Sequence, residues 1–157
     1  MATLTSTITE SITLNGQDRG STNTLSIASI TQVFHRIVTC PANQDTTVAM
    51  FQTEEHTSDG AIDLEDTKYL RITNLDGTNE VILSLQTSND EDGTADGSTS
   101  ILLEAGRSFI MGAPHEGIAN DDDADTVITD ANLHDLESLL VDPKGNAVSI
   151  EVFIAGA

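Results

Sequence analysis

Apolar residues recur at every second position through most of this chain, and that period decides what it can fold into. In Thr3–Leu14, Leu4, Ser6, Ile8, Glu10, Ile12 and Leu14 share one face, and Thr5, Thr7, Thr9, Ser11 and Thr13 share the other. A period of two belongs to a strand with one buried face, and β-branched Thr favours the extended backbone. Asn15–Gly20 then reads as a turn, and Thr22–Ile30 as a second β-rich run. His35–Cys40 ends at Pro41, whose ring nitrogen cannot donate to a ladder. Thr46–Phe51 and Ala61–Leu64 are further short strands.

The most regular segment is Lys68–Thr87, where Leu70 and Ile72 point one way and Val81, Leu83 and Leu85 point one way. Asp76-Gly77 lies between the two runs, so the pair reads as a hairpin. Ser100–Leu103 and Ser108–Gly112 read as another, around Glu104-Ala105-Gly106. Near the end, Asp142-Pro143-Lys144-Gly145 is a turn signal, and Val148, Ile150, Val152 and Ile154 alternate after it. Only Asp130–Leu140 offers helical spacing, through Leu133, Leu136 and Leu140 with Asp130 as a cap; a loop followed by a strand fits the same residues. Eight to ten short strands separated by turns predict an all-β chain, a single jelly-roll-like β-sandwich with long acidic loops and at most one short helix. The expected core is Leu70, Ile72, Val81, Leu83, Leu85, Phe109, Ile150, Val152 and Ile154.

A length of 157 residues suits one domain, residues 1–157, with residues 1–14 as a strand placed to contact a neighbouring subunit. Six Lys and Arg stand against 26 Asp and Glu, a net charge of −20. That charge repels the phosphates of DNA and RNA and the surface of an anionic membrane, so neither is an expected partner. No run approaches the roughly 18 apolar residues that span a bilayer, and Met1–Thr9 lacks the pattern of a secretory signal. A soluble protein made in the cytosol is the expectation.

No catalytic signature is present. No Ser sits in a G-x-S-x-G elbow, and His35, His56, His115 and His134 form no metal-ligand pair, so no catalytic residue is assigned. Cys40 is alone, which excludes an intrachain disulfide and a Cys-based zinc site; among Ile37, Val38 and Thr39 it reads as a small buried hydrophobe. Clustered carboxylates raise the question of a hard cation. Asp92 and Asp96 open an EF-hand-like stretch, yet its twelfth position is Leu103, and Asp121 and Asp123 belong to a denser, unpatterned run. These four are candidate metal ligands, with a solvated acidic loop as the plainer reading and no cofactor expected. Such an acid excess also suits concentrated salt, where the Debye length falls to about 3 Å at 1 M.

The strand ending in ITN (Leu70–Asn74), its mate Val81–Leu85, the pair in LLEAGRSFIMG (Leu102–Gly112) and the terminal VSIEVFIAG together resemble small β-sandwich virion proteins of tailed bacteriophages. The similarity is to their auxiliary capsid proteins, called decoration or cement proteins, and to small neck and tail components. It covers Tyr69–Gly112 and Val148–Gly156. The resemblance implies a structural, non-enzymatic role: a homo-oligomer, often a trimer, bound to the major capsid protein on the outer surface of the virion. The alternative it implies is a neck, tail or fibre component that binds other virion proteins or a host receptor glycan. No functional residue is carried over from the family position by position.

Overall fold

The computed structural model describes residues 1–52, 62–88, 97–119 and 133–157. Its strands, in chain order, are β1 (Ala2–Glu10), β2 (Thr13–Leu14), β3 (Gln17–Asp18), β4 (Ser21–Ile30), β5 (Gln32–Cys40), β6 (Thr46–Gln52), β7 (Ile62–Asp63), β8 (Thr67–Asn74), β9 (Val81–Ser88), β10 (Gly97–Leu103), β11 (Ser108–Met111), β12 (Ile118–Ala119), β13 (Leu133–Asp142) and β14 (Val148–Gly156). The helical content of the described residues is one 3-10 turn, Pro114–Glu116.

Two sheets face each other in a β-sandwich. One is ordered β10-β9-β13-β6-β7 with β12 added on β13, and the other β11-β8-β14-β5. The orders run in step. Short connections join β10 to β11, β8 to β9, β13 to β14 and β5 to β6, so each crosses from one sheet to the same position in the other. This is the all-β, jelly-roll-like sandwich that the alternation predicts.

It corrects both expected hairpins. β8 does not pair with β9 but with β11 and β14, while β9 pairs with β10 and β13; likewise β10 and β11 lie in different sheets. The alternation tells which face a strand buries and not which strand it bonds, because both arrangements bury the same side chains. Asn74 supplies the local reason. It is fully buried, its Nδ2 donates to the carbonyls of Asn79 (2.8 Å) and Leu103 (3.2 Å), and its Oδ1 accepts from Asp76 N–H (3.0 Å). The next residue, Leu75, donates its N–H to Ser149 O (2.9 Å), which steers the chain out of the sheet. Asp76 completes the arch by accepting from the N–H groups of Asn79 and Thr78 at 2.7 and 2.8 Å, and these bonds hold its carboxyl below the usual carboxylate range.

Leu70, Ile72, Val81, Leu83, Leu85, Ile150, Val152 and Ile154 are all buried between the sheets, joined by Leu136, Leu139, Val141 and Val148. Phe109 departs from expectation: it is half-buried, because β11 is a four-residue edge strand covered on one side only. The helical alternative for Asp130–Leu140 is also overturned from Leu133 onward, where the chain is β13. Its pairing with β9 skips Glu137 between Leu136 and Ser138, a β-bulge. One extra residue shifts the phase, so Leu136 and Leu139, three apart, both face the core. That spacing imitates a helix.

The N-terminal reading is corrected too. Thr3–Leu14 is not one half-buried strand: β1 stops at Glu10, and Ile8, Ile12 and Leu14 are exposed. β1 pairs antiparallel with β4 from Ala2↔Ile30 to Glu10↔Ser21, a separate two-stranded ribbon. β2 and β3 close its tip through Asn15 (φ 53°) and Gly16 (φ 75°), both in the left-handed region that a tight two-residue turn requires.

Candidate interaction surface

The β1–β4 ribbon folds over the outer face of the four-stranded sheet. Leu4 and Ile27 from the ribbon pack with Ile30, Tyr69, Ala155 and Phe153 in a small apolar cluster separate from the main core. Tyr69 is buried there, its hydroxyl 3.1 Å from Ser6 Oγ, and its ring meets Phe153 edge-on at 6.1 Å. Alternation positions these groups. Tyr69 and Arg71 on β8 and Phe153 on β14 point outward because Leu70, Ile72, Val152 and Ile154 point in. Between ribbon and sheet lies an open groove of about 350 Å³, lined by Leu4, Ile8, Tyr69, Arg71, Ile110 and Phe153.

Beside the groove, Glu151 receives Arg71 Nη1 at 2.7 Å on one oxygen and lies 2.9 Å from His35 Nε2 on the other. Both contacts, the Arg71 hydrogen bond foremost, hold its carboxyl below the usual range. This trio joins β5, β8 and β14 and ties them across the face. It leaves no carboxylate oxygen of Glu151 without a partner.

Charge is distributed unevenly. Residues 1–44 hold two acids, Glu10 and Asp18, and two bases, Arg19 and Arg36, so they carry no net charge; the whole −20 resides in residues 45–157. Ser21–Cys40 contains no carboxylate at all. On that neutral portion stand seven exposed large apolar side chains: Met1, Ile8, Ile12, Leu14, Leu25, Val33 and Ile37. The neutral portion is β1 to β5, which comprises the ribbon and one edge of the four-stranded sheet.

The sequence-derived site residues do not converge. Asp92, Asp96, Asp121 and Asp123 lie outside the described residues, as does His56. Among the described residues no group of three or more His, Cys, Asp or Glu is placed to hold a metal ion. His35 faces Glu151, His115 sits in the 3-10 turn with Nε2 3.2 Å from Glu116, and His134 lies on β13 opposite Ile118. Cys40 is fully buried, and burial pushes its thiol up, which keeps it protonated and unreactive. Sequence reading had not singled out Val33, Ile37 or the Arg71–Glu151–His35 trio. The run without a carboxylate from Ser21 to Cys40 was the visible signal for the first two.

No protein-family model matches the chain, and no curated protein matches it. A solved structure described as "Bacillus endospore appendages form a novel family of disulfide-linked pili" aligns with 83% of this chain and 93% of its own at 14% identity, with a TM-score of 0.38. The fold class rests on this chain's own geometry: it is an all-β sandwich with a ribbon, almost free of charged residues, laid on one face.

Proposed function

We propose that the chain is a structural protein that works by assembly, as a decoration or cement protein bound to the outer surface of a capsid through the major capsid protein and through its own copies. The observation that carries the assembly part is the neutral, apolar surface of residues 1–44 on a molecule of charge −20. Repulsion opposes contact everywhere else, so the surface of zero net charge is where like copies or an acidic shell can approach. Assignment to a virion exterior is supported by the resemblance in Leu70–Asn74, Val81–Leu85, Leu102–Gly112 and the last strand. Excess negative charge suits the outside of a DNA-filled shell better than the inside.

The second reading, a neck, tail or fibre component that grips a host glycan, needs exposed aromatic platforms. Tyr69 and Phe51 are buried and Phe34, Phe109 and Phe153 are half-buried, which favours the shell. Copy number per purified particle tests the two: hundreds of copies are expected for a shell protein, and about a dozen would replace it with the tail reading. Purified protein is also expected to co-sediment with capsids stripped of it; no co-sedimentation and no copies in particles would overturn both.

A further inference from the structure

We propose that β5 pairs antiparallel with β5 of a second copy about a two-fold axis, joining two four-stranded sheets into one of eight. This rests on the self-assembly part of the function proposed above and names its surface. β5 is bonded on one side only, to β14, from Cys40↔Val148 to Gln32↔Gly156 without a register shift. Its other side is a nine-residue edge of backbone donors and acceptors with no strand beside it among the described residues.

Natural sheets blunt such edges with Pro, Lys, carboxylates, bulges or short length. β5 has no Pro, Lys, Asp or Glu, no bulge, and above-average length. The other edges of the two sandwich sheets are blunter: β7 has two residues, β11 four, and β10 follows a segment that holds Asp90, Glu91, Asp92 and Asp96. The ribbon strands β1 and β4 also have open edges, but each presents one exposed large apolar side chain, Ile8 and Leu25, against two on β5. Both faces of β5 are also incompletely covered. Val33 and Ile37 are 56% and 63% exposed on the outer face, while Phe34 and Val38 are half-buried on the inner face. Their neighbours on β14, Ile154 and Ile150, are fully buried. A further strand beside β5 would cover all four side chains.

A second copy is the occupant that charge selects. A basic partner is drawn to the acidic remainder of the molecule, whereas two chains of −20 can touch only where neither carries carboxylates. An antiparallel edge is complementary to itself, so one strand serves both sides of the contact and the assembly closes. Arg36, stacked 4.6 Å over the Phe34 ring, disfavours the register that sets Arg36 against Arg36. The register one step away sets Val33 against Ile37 twice on the outer face.

Sedimentation equilibrium of the full chain in 1 M NaCl tests this, with Val33→Lys and Ile37→Lys on β5 and Ile12→Lys on the ribbon as control. All three sites are exposed, so the variants fold, and circular dichroism verifies it. The expected result is a dimer whose dissociation constant rises about tenfold or more in V33K and I37K and is unchanged in I12K. Amide exchange is expected to slow across Gln32–Cys40 as concentration rises. A trimer, or a dimer indifferent to V33K and I37K, overturns β5 pairing while leaving self-assembly in place. A monomer at every concentration overturns both, and co-sedimentation with capsids then decides shell binding by itself.

Discussion

Asn74 ties two arches together through one buried amide. Replacing it with Ala strips the carbonyls of Asn79 and Leu103 and the N–H of Asp76 of their partners inside the protein. A buried group left unpaired costs about 1–3 kcal/mol, so Asn74→Ala is expected to lose about 2–4 kcal/mol in urea unfolding. A loss below about 0.5 kcal/mol would show that water replaces the amide. Glu151 acts at the same scale with a pH signature. Its carboxyl is depressed in the folded state, so its contribution is full above the ordinary value of 4.5 and is lost as pH falls through the lower folded value. The trio is partly exposed, so the effect is small, under about 1 kcal/mol. Unfolding of the native chain and of Glu151→Gln is expected to differ at pH 7 and to converge below pH 4.5. Curves that stay parallel down to pH 3 would remove the ion pairs from the account. Asp76, held by backbone N–H groups, works in the same direction.

Among the elements, β13 shows how one residue sets the orientation of a strand. Leu136 lies before the bulge, Leu139 and Val141 after it, and all three are buried. Deleting Glu137 leaves Leu136 and Leu139 two apart, so plain alternation keeps Leu136, Leu139 and Val141 on the core face without a bulge. The deletion is therefore expected to cost clearly less than Leu136→Ala, which loses about 2–5 kcal/mol in chemical denaturation. A deletion as costly as Leu136→Ala would mean that the bulge does more than set the phase of the strand. The arches are the other element-scale feature. Asn43 N–H donates to Lys144 O and Lys144 Nζ bonds Glu80 at 2.6 Å, so three sheet-to-sheet connections are linked at one end of the sandwich. The ribbon is anchored at the opposite end, where Thr31 N–H bonds Gly156 O at 2.9 Å.

The molecule as a whole is an electrostatic dipole of an unusual kind, with a neutral part in residues 1–44 and every net negative charge beyond them. Association through the neutral part is opposed by the rest at low ionic strength and released when salt shortens the Debye length from about 10 Å at 0.1 M to about 3 Å at 1 M. Light scattering is expected to show mass rising from 0.05 to 1 M NaCl, the reverse of a phosphate-binding protein. Mass that falls with salt would place ion pairs, and not the neutral surface, at the contact.

Much of this was legible in the residues themselves. Period-two alternation determined the all-β class and the burial of Leu70, Ile72, Val81, Leu83, Leu85, Ile150, Val152 and Ile154, because a side chain's face follows from its parity along a strand. The Asn15-Gly16 turn and the Asp142–Gly145 turn were likewise local matters of backbone conformation. Strand partnership was not local. Whether β8 bonds β9 or faces it across the core depends on Asn74 finding Leu103 O and Leu75 finding Ser149 O, contacts 29 and more residues away. The same holds for the phase change at Glu137, the half-burial of Phe109 on a short edge strand, and the exposure of Ile8, Ile12 and Leu14 on the ribbon. Alternation along one strand determines what must be hidden; only the tertiary structure, through hydrogen bonds between distant segments, decided which surface hides it and which edge was left open.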